Sequence, residues 1–163
     1  YDGLMRTLIH KFKFNDTQIA RRLFARWLVE AGAELIAASD VVVAVPLAQR
    51  RLLWRRFNQS QLLANEIARL TAKPVAPLAL QRVRATRSQV GLTRKERVKN
   101  VAGAFRVLPR HVTDISGKSV LLIDDVITTG ATVNSAARAL RKAGAVGVSV
   151  LALSLAGDVP HTP

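Results

Sequence analysis

Apolar residues along this chain alternate between helical spacing and short continuous runs. Helical spacing predicts helices at Tyr1–Phe14, Thr17–Ala38, Ser60–Thr71 and Ala131–Ala143. Continuous aliphatic runs predict strands at Val41–Val45, Gly103–Val107, Ser119–Ile123 and Val146–Leu153, and the proline-interrupted stretch Lys73–Leu80 predicts an edge strand. Because strands alternate with helices, we expect an α/β fold with a mostly parallel central sheet flanked by helices.

Composition excludes several classes of protein. The chain has 163 residues, a length typical of one domain, and its 49% hydrophobic content is too high for a charged disordered tail. The absence of cysteine excludes a disulfide scaffold and a thiolate zinc site, and it agrees with a reducing, cytoplasmic location. The longest uncharged stretch, Ala143–Gly157, has 15 residues. A membrane span needs about 20 mostly apolar residues, so none is expected.

The segment Val120–Thr132, VLLIDDVITTGAT, carries the strongest chemical signal. An apolar strand leads into two adjacent carboxylates and then into a threonine- and glycine-rich turn that opens a helix. Ligands of open α/β sheets bind at the carboxyl ends of strands, and the first amides of a helix favour phosphate. Carboxylates beside such a turn suit vicinal hydroxyls, so the segment indicates a ribose 5-phosphate site. A plain capped turn with two solvated aspartates would explain the glycine but not the adjacent like charges.

This segment resembles the phosphoribosyl pyrophosphate signature of the type I phosphoribosyltransferases and is unlike a Walker A loop, since no lysine follows the glycine. The resemblance implies that Asp124 and Asp125 hold the ribose hydroxyls. It implies a 5′-phosphate loop formed by Thr128, Thr129, Gly130, Ala131 and Thr132. Purine-salvage members often carry an acid where Thr128 stands, which argues against that substrate class.

The rest of the chain is similar to the ComF family (competence protein F and its gluconate-cluster relatives). The similarity lies in VAVPLAQRRLLWRRFNQ at residues 43–59, in RVRATRSQVGLTRKERVKNVAGAF at 82–105 and in the opening YDGLMRTLIHKFKF. It implies a pyrophosphate loop at Pro46, Leu47 and Ala48. It also implies a helical hood at residues 1–38 ahead of a phosphoribosyltransferase domain at residues 39–163, in one compact unit. The chain departs from the ComF pattern in two ways. It lacks the usual Cys-x-x-Cys zinc ribbon, and it has Arg56 where the family tends to have a glycine before Phe-Asn-Gln.

A basic cluster follows the first predicted strand. Its members are Arg50, Arg51, Arg55 and Arg56, followed by Asn58 and Gln59. A departing pyrophosphate needs cations and N–H donors, so these residues are candidates to line the site. Two alternatives stay open: a solvated basic face around Trp54 and Phe57 for the arginines, and ordinary helix capping for Asn58 and Gln59.

The polar stretch Gln81–Asn100 has little apolar period and is expected to be a long loop. Such loops are often lids, and type I phosphoribosyltransferases close a flexible hood that shields the reacting sugar from water. Arg84, Arg87 and Gln89 are the candidates for reaching the pyrophosphate. A mobile surface loop without chemistry is the alternative.

Two functions therefore stay open. The first is a Mg²⁺-dependent ComF-type enzyme that transfers phosphoribose from phosphoribosyl pyrophosphate to an unidentified acceptor. Mg²⁺ would come with the ligand, and Asp124 and Asp125 would contact it through water rather than hold it directly. The second is a non-catalytic protein that binds single-stranded DNA, because 25 lysines and arginines against 11 acids give a net charge of +14. His10, His111 and His161 lack metal-ligand spacing, and the oligomeric state is not readable.

Overall fold

The computed structural model of the protein describes residues 18–48, 52, 57–87 and 91–155. The predicted helix at Tyr1–Phe14 lies outside these residues. No helix in the described ranges is long and apolar enough to span a bilayer.

The described chain forms helices and strands in the alternating order that its hydrophobic pattern predicts. In sequence they are α1 (Gln18–Ala31), α2 (Ala33–Ala37), β1 (Val41–Ala44), α3 (Gln59–Thr71), β2 (Leu80–Arg82), α4 (Arg94–Val101), β3 (Phe105–Val107), a 3₁₀ helix (Pro109–Asp114), β4 (Ser119–Ile127), α5 (Ala131–Lys142) and β5 (Gly147–Leu155).

The main sheet has three described strands in the order β1-β4-β5, and both pairings are parallel. Val41 lies opposite Val120, and Ser119 lies opposite Gly147. The predicted edge strand at Lys73–Leu80 is reduced to one parallel bridge between Val42 and Val75. The mostly parallel sheet flanked by helices is confirmed, and β4 is its central strand.

Alternate residues of β4 face opposite cores, as the two-residue period of a strand requires. Leu121 and Ile123 pack with α1 and α3, where Phe24 and Leu63 are fully buried. Val120 and Leu122 pack on the other side with α5 and the small sheet of β2 and β3. Full burial of each large aliphatic side chain contributes about 1.5–3 kcal/mol, which explains why the apolar runs become central strands.

The predicted helix Thr17–Ala38 divides at Gly32 into α1 and α2. A Cβ at Gly32 would lie 2.6 Å from a methyl carbon of Leu151, so the glycine allows β5 to approach the helix backbone. Both helices cover the same face of the sheet as α3. The hood role of residues 1–38 over an acceptor stays a prediction.

The expectation of a long loop at Gln81–Asn100 is wrong in part, because this stretch contains α4. Thr93 accepts a hydrogen bond from the Glu96 amide, and the Glu96 carboxylate accepts one from the Thr93 amide at 2.8 Å. This reciprocal capping box starts the helix. The helix is mostly charged and has no apolar stripe along one face. The hydrophobic period that identifies most helices was therefore missing.

Candidate phosphoribosyl-binding site

Strand β4 does not end at Ile123, as its apolar run predicted, but continues through Asp124 and Asp125 to Ile127. The reason is the neighbouring strand. Asp124 lies opposite Ala152, and Ile127 lies opposite Leu155. Backbone pairing with β5 therefore extends β4 beyond the two acids. The carboxylate pair therefore lies near the carboxyl end of the central parallel strand, where open α/β sheets bind ligands.

Asp124 is buried, with only 7% of its surface exposed. Its Oδ1 accepts hydrogen bonds from the Ser60 hydroxyl at 3.2 Å and from the Asp125 amide at 2.9 Å. Burial, followed by the adjacent Asp125 charge, raises the pKa of Asp124 to about 7. A carboxyl with this pKa changes its charge near neutral pH, so donors or cations brought by a ligand would favour its ionised form.

Asp125 is half-buried, and its Oδ1 accepts a hydrogen bond from the Val126 amide at 2.8 Å. Adjacent residues of a strand point to opposite faces, yet the two carboxylates are close enough for Asp125 to raise the pKa of Asp124. The pair therefore offers acceptor oxygens from both sides of the strand end.

The turn after β4 joins it to α5. Gly130 has a φ of 73°, in the left-handed region that favours glycine, and Ala131 begins the helix. The amides in the first turn of a helix generally lack intrahelical carbonyl partners, so the start of α5 is a place where an anion can be bound. Thr129 Oγ1 is buried and has no hydrogen-bond partner among the described residues. The turn thus presents amides and a hydroxyl that a phosphate would satisfy.

The predicted pyrophosphate loop Pro46–Ala48 follows β1 and lies beside the end of β4. The Val45 amide donates to the Ile123 carbonyl at 2.9 Å, and the Val45 carbonyl accepts from Asn58 Nδ2 at 3.0 Å. The structure therefore brings this loop and the acid pair to one edge of the sheet.

Asn58 is the N-cap of α3, and its Oδ1 accepts from the Ser60 amide at 3.2 Å. Gln59, the next residue, is buried. The capping interpretation of Asn58 is thus observed, and its contact with Val45 places it at the base of the Pro46–Ala48 loop. A direct ligand contact by Asn58 or Gln59 stays a prediction.

Arg84 and Arg87, predicted to reach the pyrophosphate, are bound to the end of α4. The Arg84 guanidinium donates to the Asn100 and Ala102 carbonyls at 2.9 and 2.7 Å. The Asn100 side chain exchanges two hydrogen bonds with the Arg87 backbone. Their pyrophosphate contacts stay predictions, as do those of five candidates outside the described residues, namely Arg50, Arg51, Arg55, Arg56 and Gln89.

Two residues that reach the site were not singled out from the sequence. Ser60 bonds Asp124, and Arg97 of α4 donates from Nη1 to Thr128 Oγ1 at 3.0 Å. Ser60 follows the Asn58-Gln59 pair directly, so its place in the first turn of α3 was a usable signal. Arg97 follows Glu96 of the capping box. That pattern indicates where the helix starts, but it does not indicate where the Arg97 side chain points.

No group of three or more metal-ligating side chains occurs within the described ranges. His111 Nδ1 and Asp114 Oδ2 are hydrogen-bonded at 3.0 Å, as expected of a histidine that has a protein partner rather than a metal. Asp124 and Asp125 offer the oxygen donors that Mg²⁺ prefers, but two adjacent carboxylates are too few for an all-protein cage. The residues present fit a Mg²⁺ ion held mainly by a phosphorylated ligand and water.

Most of the chain is similar to known proteins. A model of the phosphoribosyl transferase domain family matches residues 58–162. The DNA utilization protein YhgH of Escherichia coli K12 is 37% identical over 155 residues, which cover 90% of this chain and 65% of that protein. Competence protein F of Haemophilus influenzae is 32% identical over 154 residues, which cover 91% of this chain and 67% of that protein.

Among solved structures, the glutamine phosphoribosylpyrophosphate amidotransferase from B. subtilis has the same fold. It superimposes with a TM-score of 0.54 at 24% identity, over 80% of this chain and 25% of that one. The chain belongs to the phosphoribosyl transferase domain family and has the type I phosphoribosyltransferase fold. Within that family it is a member of the ComF group, and it spans about two thirds of the length of the relatives compared.

Proposed function

We propose that the protein binds phosphoribosyl pyrophosphate with Mg²⁺ and transfers the phosphoribosyl group to an acceptor. The observation that carries the proposal is the Asp124–Asp125 pair on β4, with Asp124 buried and Asp125 half-buried, followed two residues later by the Thr128–Thr132 turn. Acceptor carboxylates and an anion-favouring turn four residues apart match a sugar that carries vicinal hydroxyls and a 5′-phosphate.

The carboxylates accept hydrogen bonds from the ribose 2′ and 3′ hydroxyls in this proposal. Asp124 can do so because its desolvation is offset by the Ser60 hydroxyl, the Asp125 amide and the incoming hydroxyls. The Thr128–Thr132 turn receives the 5′-phosphate through backbone amides and threonine hydroxyls. The sugar is thus fixed at both ends, which leaves C1 oriented toward the Pro46–Ala48 loop.

In the transfer step, the bond from C1 to the pyrophosphate oxygen breaks and that oxygen keeps the electron pair. A nucleophile of the acceptor forms the new bond to C1, and its proton passes to the released pyrophosphate or to water. When bound with the ligand, Mg²⁺ would neutralise part of the pyrophosphate charge, with Asp124 and Asp125 contacting it through water. The chain orients the sugar, donates N–H groups near the leaving oxygen and limits access of water. A cytoplasmic setting belongs to this proposal, in keeping with the cysteine-free composition.

The test is calorimetric titration of phosphoribosyl pyrophosphate with and without Mg²⁺. The wild type should bind saturably only with Mg²⁺, and Asp124→Ala combined with Asp125→Ala should abolish binding in a folded protein. Asp114→Ala is the matched control, because Asp114 bonds His111 in the segment before the amino end of β4. Unchanged affinity in the double variant would contradict the proposal.

Binding of single-stranded DNA is a second candidate function. The net charge of +14 exceeds what one small polyanionic ligand requires, and the relatives are named for DNA utilization and competence. This function predicts that DNA affinity falls steeply with salt and on replacing Arg50, Arg51, Arg55 and Arg56 together. DNA affinity that is independent of both would remove it.

A further inference from the structure

Helix α4 is fixed against α5, the helix that begins at the phosphate turn. The Ser135 hydroxyl of α5 donates to the Val101 carbonyl at the end of α4 at 2.6 Å, and Val101 is fully buried. The Thr93–Glu96 capping box holds the other end of α4. Side chains on the inner face of α4 therefore have defined positions relative to the Thr128–Thr132 turn.

Arg97 is the half-buried cation of α4, whereas Arg94, Lys95 and Lys99 are exposed. Its Nε donates to the Leu92 carbonyl at 2.9 Å, and its Nη1 donates to Thr128 Oγ1 at 3.0 Å. These contacts use two of the five N–H donors of a guanidinium. Within the described part of the chain, Arg97 makes no ion pair with a carboxylate.

Arg97 is thus a half-buried cation that two hydrogen bonds hold in position beside the phosphate turn. The uncompensated charge lies next to Thr128, and the neighbouring Thr129 Oγ1 is buried without a partner in the described residues. Both observations favour the same kind of ligand at this turn, an anion with several acceptor oxygens.

We propose that Arg97 is a direct ligand of the 5′-phosphate, binding it through the N–H groups of its guanidinium that the protein leaves available. The proposal deepens the proposed function and rests on it. On binding, the phosphate oxygens satisfy Arg97 and the Thr129 hydroxyl together. The planar guanidinium can bind phosphate through two parallel hydrogen bonds, which a lysine ammonium cannot do.

The assignment to the 5′-phosphate, rather than to the pyrophosphate, follows from position. Arg97 contacts Thr128 in the turn between β4 and α5, whereas Pro46–Ala48 follows β1. Ribose 5-phosphate and inorganic pyrophosphate are therefore the two probes that separate these subsites. The first carries the sugar and its 5′-phosphate without the leaving group, and the second is the leaving group alone.

The experiment measures the affinity of both probes by calorimetry for the wild type and for Arg97→Gln, Arg97→Lys and Arg94→Gln. We expect Arg97→Gln to weaken ribose 5-phosphate binding roughly 10- to 100-fold, the loss typical of hydrogen bonds to a charged group. Arg97→Lys should lose less, because it keeps the charge. Arg94→Gln removes an exposed cation from the same helix and should stay within about twofold of the wild type.

Pyrophosphate affinity should change little in all three variants. A loss shared equally by both probes, or confined to pyrophosphate, would overturn the assignment to the 5′-phosphate. Equal ribose 5-phosphate affinity in the Arg97 and Arg94 variants would overturn the role of Arg97 and leave the proposed function standing. A wild type that binds neither ribose 5-phosphate nor phosphoribosyl pyrophosphate would overturn both. If Arg97→Gln does not fold, Arg97→Lys takes its place. A loss of ribose 5-phosphate affinity greater than that of Arg94→Gln then supports the role of Arg97, and an equal affinity overturns it.

Discussion

The Ser60 hydroxyl donates a hydrogen bond to Asp124 Oδ1 at 3.2 Å, across 64 positions of the chain. Ser60 lies in the first turn of α3 and Asp124 in β4, so the contact joins a flanking helix to the central strand of the sheet. Both residues are buried. The contact therefore ties the placement of a candidate ribose ligand to the start of α3, which Asn58 caps.

Replacing Ser60 should weaken the donor site without disrupting the fold. Ser60→Ala removes a hydrogen bond that favours the ionised form of Asp124, so the pKa of Asp124 should rise further. We expect affinity for phosphoribosyl pyrophosphate at pH 7 to fall roughly 3- to 10-fold, as measured by calorimetry. Ser39→Ala is the control, because Ser39 is also buried and donates to the Ile36 carbonyl before the amino end of β1. Equal affinities in the two variants would contradict this role.

The stability of the unliganded protein should depend on pH through Asp124. Its pKa is about 7 in the folded state against the ordinary aspartate value of 3.8, so between these values the folded state binds more protons than the unfolded state. This group's contribution to the free energy of unfolding is therefore full below about pH 4 and is lost as pH rises to about 7.

Asp124→Asn removes that dependence. At pH 8 the variant should be more stable than the wild type by up to about 4 kcal/mol, whereas at pH 4 the two should differ little. Urea unfolding at both pH values gives the two differences. A difference that does not grow with pH would show that Asp124 is not the responsible group.

Thr129→Val should separate stability from binding. The Thr129 hydroxyl is buried without a partner in the described structure, so its removal should leave the free energy of unfolding unchanged or raise it by about 1 kcal/mol. Affinity for ribose 5-phosphate should fall at least about fivefold, because the bound phosphate loses a donor. Thr71→Val is the contrasting control, since Thr71 donates to the Ile67 carbonyl at 2.7 Å and should cost about 1 kcal/mol with no loss of affinity. A clear loss of stability in Thr129→Val would argue against an unpaired hydroxyl.

Gly130 and Gly117 form a matched pair with φ values of 73° and 74°. Alanine at either position should cost about 1–2 kcal/mol of stability, because both adopt the left-handed region. A Cβ at Gly117 meets nothing within 4 Å, whereas one at Gly130 lies 3.3 Å from Asn134 Nδ2. We expect only Gly130→Ala to lower ribose 5-phosphate affinity, by about 10-fold, since it strains the backbone of the turn that receives the phosphate in the proposed function. Parallel thermal melts and titrations compare the two, and an equal loss of affinity would refute the prediction.

The contiguous parts of the site could be predicted from the sequence. Val120–Thr132 contains its strand, its acid pair and its turn in one segment, so local patterning is enough to place them near the carboxyl end of a parallel strand. The continuation of β4 to Ile127 could not be predicted that way. It depends on pairing with Ala152 and Leu155, and two charged residues interrupt the apolar run that marks a strand.

Contacts between distant segments were also beyond sequence reasoning. The Arg97–Thr128 hydrogen bond joins residues 31 positions apart, and its formation depends on how α4 packs on α5. The helix α4 itself was within reach, since Thr93-x-x-Glu96 is a capping-box pattern. The lack of an apolar period outweighed that signal, because α4 is held by its ends rather than by a hydrophobic face.

The parallel pairing of β1 with β4 also determines when the site can form during synthesis. Asp40 accepts a hydrogen bond from the Ser119 amide, 79 positions further along, and the strands that follow these residues are paired in register. A growing chain that has released β1 thus lacks the neighbouring strand of the main sheet until β4 leaves the ribosome. Such long-range pairing makes folding slow relative to helical proteins of this size. The carboxylate pair is therefore completed late, when nearly the whole domain has been translated.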